Sequence, residues 1–199
     1  MSADVNPVGL GIVGCGNISN AYFKGASAFE LLKVVSCADR FHERALSKAE
    51  EHGCTAQSVE ELLANPEVEL VINLTHPAAH AELSLQALEA GKHVHCEKPL
   101  AVTLEEGKRV LEMAKDKGLL TGCAPDTFMG AGLQTCRKLL DDGWIGRPVS
   151  GTAFMMSRGP ESWHPDPGFF YQTGAGPLFD MGPYYITALV HMLGPVKRV

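Results

Sequence analysis

Apolar and polar positions alternate along the first 124 residues between short apolar runs and amphipathic segments. The apolar runs are nearly continuous, which is typical of buried strands: "VGLGIVGCG", "LLKVVSCAD", "VELVINLT", "KHVHCE" and "LLTGCA". Segments with helical spacing lie between them, at about 18–30, 41–52, 58–65, 78–90 and 103–117. Two of these helices begin with capping-box spacing, Ser58 with Glu61 and Thr103 with Glu106. Strands and helices that alternate in this way predict an α/β fold with a doubly wound parallel sheet.

The pattern changes after Ala124. Residues 128–141 and 183–193 have helical spacing, "RPVSGTAFMMSR" predicts a longer strand, and residues 159–177 predict a loop with several prolines. The final "LGPVKRV" predicts a helix stop followed by the start of another strand. We therefore expect one complete domain over residues 1–124 and the beginning of a second α/β domain over residues 125–199.

Composition and charge narrow the class of protein. Hydrophobic residues make up 45% of the chain, and the net charge is −6 without a basic stripe, which argues against a nucleic-acid partner. No apolar run reaches the length of a membrane span, and "MSADVNPVG" lacks the features of a signal peptide. We expect a cytoplasmic protein that does not bind membranes, with its six scattered cysteines reduced and structural.

The first functional motif is "GIVGCGNIS". Gly14 and Gly16 stand between a predicted strand and a predicted helix, where missing side chains let a pyrophosphate approach the backbone N–H groups. Ser19 takes the third, small position. A tight turn without a ligand is the alternative, but the strand–turn–helix context favours dinucleotide binding.

Asp39 closes the second predicted strand, 23 residues after Gly16. A carboxylate at this place accepts hydrogen bonds from both ribose hydroxyls of NAD and repels the 2′-phosphate of NADP, so we expect NAD as the cofactor. Arg40 leaves NADP as the alternative cofactor, because an arginine here can pair with that phosphate. Its other interpretation is an exposed residue at a helix start.

Lys98 ends a predicted strand and is followed by Pro99. Ligands of doubly wound sheets bind beyond the carboxyl ends of the strands, so the Lys98 ammonium would face cofactor and substrate. There it can stabilise the alkoxide that develops during hydride transfer. A cis peptide bond before Pro99 would aim the lysine, whereas the alternative is a surface lysine in a loop.

Other polar residues near the strand ends are weaker candidates. Thr75 and His76 end a strand and His80 begins the next helix, so we expect contacts with ribose or nicotinamide, although a histidine at a helix start is as often a surface residue. The side chains of "HVHCE" alternate between the two faces of a strand and therefore predict no metal site.

The loop after the predicted long strand is rich in aromatic residues. Trp163, His164, Asp166 and Tyr171 could hold a polyhydroxylated substrate, with ring faces on C–H surfaces and polar tips on hydroxyls. The alternative is that "WHPDPGFFY" only packs a long loop.

Three stretches together resemble the Gfo/Idh/MocA family of NAD(P)-dependent oxidoreductases: the Gly14-x-Gly16 turn, "NLTHPAAHAELSLQALEAGKHVHCEKPLA" and "GAGPLFDMGPYY". The resemblance runs from about Val8 to Val199, and Glu97-Lys98-Pro99 is its most specific motif. It implies an N-terminal Rossmann domain, a C-terminal α/β domain with a large open sheet, and activity on sugars, polyols or related carbonyl compounds.

The resemblance also implies residue roles. The family's Asp-x-Gly-x-His pattern, after its glycine-rich segment, falls on Gly174, Gly176, Asp180 and Gly182, with Tyr184 at the histidine position as in the glucose–fructose oxidoreductase and dihydrodiol dehydrogenase branches. The expected catalytic residues are Lys98, Asp180 and Tyr184. The expected cofactor-binding residues are Gly14, Gly16, Asn17, Ile18, Asp39, Arg40, Thr75, His76, His80, Glu97 and Lys98, and the expected substrate-binding residues are Trp163, His164 and Tyr171.

A lysine and a tyrosine form a workable acid/base pair. A free phenol has a pKa of about 10, and a neighbouring ammonium would lower that pKa and supply a proton path. Tyr185 competes with Tyr184, and only the family spacing chooses between them. Helix capping is the alternative for Asp180, because Pro183 is typical of a first helical turn, and core packing is the alternative for Tyr184.

Three classes of function remain open. The leading one is a dehydrogenase that moves hydride between an alcohol carbon and nicotinamide. The second is a regulator of the same family that binds dinucleotide without turnover, and the third is a methyltransferase that uses the glycine turn for a nucleoside cofactor.

The family resemblance also implies a longer chain and a homo-oligomer. Family members continue well beyond "LGPVKRV", so we expect these 199 residues to be a fragment with a catalytic half too incomplete for turnover. The subunit contacts that the family makes through its open sheet would then be missing or altered.

Overall fold

The computed structural model describes residues 6–164 and 167–199, apart from the side chain of Phe169. These residues divide into two compact units, one that ends at Cys123 and one that runs from Ala124 to Val199. Within the described ranges, no helix is long and apolar enough to cross a lipid bilayer.

Six parallel strands form the sheet of the first unit, in the order β3-β2-β1-β4-β5-β6. The chain moves outward from β1 to β3 and then returns to the other side of β1 with β4, so the strand order reverses between β1 and β4. This confirms the predicted doubly wound sheet, although the short β3 was not predicted. The strands are β1 (Val8–Val13), β2 (Leu32–Ala38), β3 (Thr55–Ala56), β4 (Leu70–Asn73), β5 (His93–Cys96) and β6 (Thr121–Cys123).

Five helices connect these strands, and two of them begin with the predicted capping boxes. The Ser58 hydroxyl accepts from the Glu61 N–H at 3.1 Å, while the Glu61 carboxylate accepts from the Ser58 N–H at 2.8 Å. The Ser58 N–H holds the pKa of the Glu61 carboxyl below its usual value. Thr103 and Glu106 form the second box. The helices are α1 (Ser19–Ser27), α2 (His42–His52), α3 (Val59–Ala64), α4 (Pro77–Glu89) and α5 (Leu104–Asp116).

Apolar side chains cover both faces of the sheet. Val13 and Val71 belong to one buried cluster, whereas their strand neighbours Ile12 and Ile72 belong to another. Neighbouring residues of a strand point to opposite faces, so the central strands β1 and β4 are buried from both sides. This burial explains why their sequences are continuously apolar rather than alternating.

The central strand β1 passes very close to the segment before β4. A Cβ atom on Gly9 would lie 1.8 Å from the carbonyl oxygen of Glu67, which no real contact allows. Two hydrogen bonds keep the two segments together, because the Gly9 N–H donates to the Glu69 carboxylate at 3.1 Å and the Gly9 carbonyl accepts from the Glu69 N–H at 2.8 Å. Only a residue without a side chain fits here.

Arg137 links two of the helices of the second unit. Its guanidinium donates to the carbonyls of His191 at 2.9 Å and Met192 at 3.0 Å, near the end of the last helix. These carbonyls lack partners within their own helix, so the arginine caps that helix from a neighbouring one. The helices are α6 (Ala131–Asp141), α7 (Gly176–Asp180) and α8 (Gly182–Leu193), with short 3₁₀ turns at Thr127–Met129 and Pro167–Tyr171.

The predicted strand over residues 147–158 is wrong, and so is the predicted strand start after residue 194. Neither segment forms regular secondary structure or pairs with a strand. A strand exists only through hydrogen bonds to a neighbouring strand, and no described residue of the second unit offers such an edge. Gly151 instead lies against α8, where a Cβ atom would come within 2.8 Å of the Leu193 side chain.

The close approach at Gly9 leads to a stability prediction. Gly9→Ala should lower the free energy of unfolding by about 1–3 kcal/mol or more, because the methyl group meets backbone that cannot rotate away. Gly25→Ala, in α1 with open space at its Cβ position, should instead raise it by about 0.5–1 kcal/mol. Urea unfolding followed by circular dichroism measures both, and equal midpoints for the two variants would contradict the close approach.

Candidate active site

Four loops leave the carboxyl ends of neighbouring strands at one edge of the first unit's sheet. The strands β2, β1, β4 and β5 are consecutive and parallel, so the loops that follow them lie side by side. The edge between β1 and β4, where the strand order reverses, is the ligand-binding position of open α/β sheets. The sheet brings together these predicted residues: Gly14, Gly16, Asn17, Ile18, Asp39, Arg40, Thr75, His76, Glu97 and Lys98.

The glycine turn after β1 has two glycines with different reasons for lacking a side chain. Gly14 has a φ of 103°, and a Cβ atom there would lie 2.5 Å from the Leu74 carbonyl oxygen. Gly16 has no atom within 4 Å of its Cβ position. Gly14 is therefore required by the fold itself, whereas the space at Gly16 is open to a ligand.

Ser19 fixes the start of α1 behind the glycine turn. It is fully buried, and its hydroxyl donates to the Gly16 carbonyl at 2.7 Å. Asn17 and Ile18 are exposed on the turn, and Ile18 precedes the helix without capping it through its side chain. The small third residue of the motif thus locks the turn to the helix.

Asp39 ties the end of β2 to the glycine turn. One carboxylate oxygen accepts from the Cys15 N–H at 2.7 Å, and the other accepts from the Phe41 N–H at 2.8 Å. The Arg40 guanidinium lies over the Phe41 ring, 5.2 Å from its centroid, and that of Arg44 lies 4.7 Å from the same centroid. The loop after β2 therefore presents one oriented carboxylate and two guanidinium groups.

Three thiols lie beneath this part of the site. The Cys15 thiol donates to the Ala38 carbonyl at 3.6 Å, and the Cys54 thiol donates to the Cys37 sulfur at 3.8 Å. A hydrogen bond with Cys15, together with burial, raises the pKa of Cys37 to about 12. A thiol with such a pKa stays protonated at neutral pH and packs as a small apolar group.

The loop after β4 is held by the fully buried side chain of Asn73. Its carbonyl oxygen accepts from the Thr75 hydroxyl at 2.7 Å and from the Thr75 N–H at 3.2 Å. Its amide group donates to the His80 carbonyl at 2.9 Å and to the Ser84 hydroxyl at 3.1 Å. Asn73 was not predicted as a site residue, although a polar residue at the end of an apolar run is the signal that could have indicated it.

His80 lies below the edge rather than at its surface. Its side chain is 1% exposed, with Nδ1 2.6 Å from the Pro99 carbonyl oxygen and Nε2 2.9 Å from the Thr75 carbonyl oxygen. Both ring nitrogens face backbone carbonyls. The expectation that His80 contacts ribose or nicotinamide directly is therefore corrected, because the ring lies beneath the loops. The exposed His76 precedes α4, and its ring nitrogen accepts from the Ala78 N–H at 3.4 Å.

Glu97 and Lys98 follow β5, and the peptide bond between Lys98 and Pro99 is cis, as the sequence suggested. One oxygen of the Glu97 carboxylate accepts from the Lys98 N–H at 2.9 Å, and the other accepts from the Tyr22 hydroxyl on α1 at 2.9 Å. Tyr22 is a residue that the sequence analysis missed. Its place one turn after Ser19, close to the buried face of α1, is the signal that could have indicated it.

In the second unit, a recess of about 110 Å³ brings together Trp163, Tyr171 and Asp180. His164 packs against this group, with its ring centroid 5.5 Å from that of Trp163 and 4.8 Å from that of Phe170. The Tyr171 hydroxyl donates to the Glu161 carboxylate, which raises the pKa of the tyrosine. Asp166 lies outside the described residues.

Asp180 and Tyr184 lie on either side of a helix boundary. Asp180 is the last residue of α7, and Tyr184 lies in the first turn of α8, with Pro183 near its start as predicted. Met181 precedes α8 without a side-chain cap. Tyr184 and the competing Tyr185 are both half-buried. Across residues 6–164 and 167–199, no three His, Cys, Asp or Glu side chains are arranged to hold a metal ion.

Family models match most of the chain. Residues 8–124 match the model described as an oxidoreductase family with an NAD-binding Rossmann fold. Residues 133–199 match the model of the GFO/IDH/MocA C-terminal domain.

Several curated proteins are similar to this chain. A 1,5-anhydro-D-fructose reductase from Ensifer adhaerens is 35% identical over 72% of this chain and 44% of its own length. A scyllo-inositol 2-dehydrogenase (NADP⁺) from Bacillus subtilis is 28% identical over 98% of this chain and 54% of its own length. The chain thus spans about half the length of the curated relatives it matches.

A solved structure shows the same fold. The 3-ketoreductase from Actinomadura kijaniata, in complex with NADP and TDP-benzene, superposes with a TM-score of 0.79 at 28% identity. The superposition covers 95% of this chain and 58% of the 3-ketoreductase chain.

The two glycines of the turn should respond differently to an added methyl group. Gly14→Ala should lower the free energy of unfolding by at least about 1–2 kcal/mol, because of its left-handed backbone and the nearby Leu74 carbonyl. Gly16→Ala should change it by less than about 0.5 kcal/mol. The Gly16 variant should nevertheless bind NADH about tenfold more weakly, or about 1.4 kcal/mol, because its methyl group occupies space that the pyrophosphate needs.

Chemical unfolding and fluorescence titration with NADH separate the two effects. Gly25→Ala, on the exposed side of α1 with open space at its Cβ position, serves as the control for NADH binding, which it should leave unchanged. Unchanged NADH binding by the Gly16 variant would contradict the assignment of this turn as the pyrophosphate site.

Proposed function

The chain belongs to the Gfo/Idh/MocA family of oxidoreductases, and we propose that its protein transfers hydride between a nicotinamide dinucleotide and a hydroxyl or carbonyl carbon of a sugar, polyol or related compound. The observation that supports this most is the Tyr22–Glu97 hydrogen bond of 2.9 Å. It joins the helix behind the glycine turn to the residue that holds the Lys98 N–H. Dinucleotide site and candidate catalytic lysine therefore share one edge of the sheet.

The residues present at this edge fit a dinucleotide. The open space at Gly16 lies at the start of α1, where backbone N–H groups and the helix dipole favour a pyrophosphate. The Asp39 carboxylate is oriented by two backbone donors and keeps lone pairs for ribose hydroxyls. Thr75, His76, Arg40, Asn17 and Ile18 would surround the cofactor, whose nicotinamide ring accepts or supplies the hydride.

In the proposed reaction, Lys98 and Tyr184 act as the acid/base pair. When a hydroxyl carbon loses hydride, the oxygen must lose its proton, and in the reverse direction the new alkoxide must gain one. The Lys98 ammonium stabilises that oxygen anion. The Tyr184 phenolate takes the proton during oxidation, and its phenol form returns the proton during reduction. Asp180 supports this pair through hydrogen bonds to the substrate.

The recess in the second unit is an argument for a polyhydroxylated substrate. Trp163 and Tyr171 offer aromatic faces for the C–H surface of a sugar ring, while Asp180 accepts from hydroxyl groups. His164 supports the Trp163 ring from the side. The reductase, dehydrogenase and ketoreductase names of the relatives agree with a sugar or inositol as substrate.

For the cofactor, we propose NAD(H) in preference to NADP(H). The Asp39 carboxylate is fixed toward the glycine turn, where its charge opposes a 2′-phosphate. Arg40 and Arg44 both lie over Phe41 and bring positive charge to the same loop. The preference therefore depends on which of these charges lies closer to the ribose, and the solved 3-ketoreductase carries NADP.

The acid/base assignment predicts a loss of turnover. In a catalytically complete protein, Lys98→Ala and Tyr184→Phe should each lower turnover by about 10²-fold or more, the usual scale for removal of a proton-transfer group. Dinucleotide binding should weaken less, because Lys98 is one of many cofactor contacts. Turnover is followed by NADH absorbance on a panel of polyols and keto sugars, and binding by NADH fluorescence.

Two matched variants serve as controls for that experiment. Tyr185→Phe, next to Tyr184, and Lys108→Ala, on the exposed side of α5, should leave turnover unchanged. A damaging Tyr185 change would move the catalytic role by one residue. NADH binding by a catalytically complete protein without turnover on any substrate would favour the regulator. Binding of S-adenosylmethionine in place of NADH would favour the methyltransferase.

The cofactor preference predicts an effect of charge at Asp39. NAD(H) should bind more tightly than NADP(H). Asp39→Asn should narrow this difference in affinity, because it removes the repulsion between the carboxylate and the 2′-phosphate while keeping one acceptor oxygen. One unit charge near a phosphate at the protein surface corresponds to about 1 kcal/mol or more, or roughly fivefold in the dissociation constant. Arg40→Ala should instead widen the difference in affinity between NAD(H) and NADP(H), because it removes a positive charge that can pair with the 2′-phosphate. Tighter binding of NADPH than of NADH by the unaltered protein would refute the preference.

A further inference from the structure

A buried histidine connects the two loops that flank the candidate catalytic lysine. His80 lies in α4, and its ring reaches the Thr75 carbonyl after β4 and the Pro99 carbonyl after β5. These two loops carry the polar residues at the edge of the sheet on the β4 and β5 side. A single side chain of 1% exposure therefore lies between both loops from below.

The helix that carries His80 is itself firmly anchored. The Asn73 amide donates to the His80 carbonyl at 2.9 Å and to the Ser84 hydroxyl at 3.1 Å. Leu83, Ala87 and Leu88 of the same helix are buried in the apolar core. The ring of His80 is therefore attached to a rigid support, and the loops are fixed relative to it.

The backbone around Lys98 is held on both sides by these contacts. Its own N–H donates to Glu97 at 2.9 Å, and Glu97 is held by Tyr22 at 2.9 Å. On the other side, the carbonyl of the following residue, Pro99, lies 2.6 Å from His80 Nδ1. Without the histidine, the segment after Lys98 would lose its contact at the Pro99 carbonyl.

We propose that His80 is a positioning residue, which places the Lys98 side chain for the reaction by holding the Pro99 carbonyl. The inference rests on the proposed function for its catalytic consequence, but the bridge itself is a property of the protein without ligand. A neutral imidazole carries one N–H, and we assign it to Nδ1, which then donates to the Pro99 carbonyl, while Nε2 lies 2.9 Å from the Thr75 carbonyl oxygen.

The two contacts can be separated by substitution. The side-chain nitrogen of asparagine can reach the place of the histidine Nδ1, and that of glutamine the place of Nε2, since their side chains differ by one methylene. His80→Asn should therefore keep the link to Pro99, His80→Gln should keep only the link to Thr75, and His80→Leu should lose both. Ser84→Ala removes a hydrogen bond in the same buried network without touching either loop, and serves as the matched control.

Hydrogen exchange of the protein without ligand tests the bridge first. Exchange of the amides between Lys98 and Val102 should speed up in the Leu and Gln variants, and it should stay near the original rate in the Asn and Ser84 variants. Unchanged exchange in both the Leu and Gln variants would overturn the proposal. If the Leu variant does not fold, the comparison of Asn with Gln decides the same question.

The kinetics of a catalytically complete protein test the positioning of Lys98. His80→Gln should lower kcat by about 10- to 100-fold, the scale of a small misplacement of a catalytic group, while the dissociation constant of NADH changes little. His80→Asn should keep kcat close to that of the unaltered protein. Faster exchange with an unchanged kcat in an active protein would overturn the positioning role. If the unaltered protein neither binds NADH nor turns over any substrate, the proposed function fails, and the exchange rates alone decide whether His80 holds this segment.

Discussion

Backbone groups that leave a parallel sheet need new hydrogen-bond partners, and this requirement shapes the candidate site. Asp39, Asn73 and Glu97 each stand at or just after a strand end and accept backbone N–H groups of the loop that follows, while the Asp39 carboxylate also holds the glycine turn. A buried group without such a partner costs about 1–3 kcal/mol. The loops are therefore ordered by side chains that belong to the fold, before any ligand contributes.

The same arrangement gives several polar residues two roles. The carboxylates of Asp39 and Glu97 hold backbone and also lie at the edge where a dinucleotide would bind. Tyr22 connects the edge on the β1 side with the edge on the β5 side through Glu97. A change at one of these residues therefore alters both the shape and the chemistry of the edge, and its effects on stability and on binding need to be measured separately.

The sequence predicted most of the first unit, because its strands and helices depend on local periodicity and on capping. It did not predict the pairing of Tyr22 with Glu97 or the contact of His80 with Pro99, because these contacts join residues that are 75 and 19 positions apart in sequence. The wrong strand over residues 147–158 has the same origin. An apolar extended segment becomes a strand only beside another strand, and no such partner lies in the described part of the second unit. Local pattern thus predicts elements, whereas sites and sheets also need knowledge of which segments meet.

The close approach at Gly9 also has a consequence for the gene. Every glycine codon becomes, by any single nucleotide change that alters the amino acid, a codon for a residue with a Cβ atom or a stop codon. At a position where a Cβ atom would lie 1.8 Å from a backbone oxygen, each of these missense changes meets the same obstacle. The codon for Gly9 can therefore vary only silently unless the segment around Glu67 moves, and its third base is the one place where substitutions can accumulate without cost to the fold.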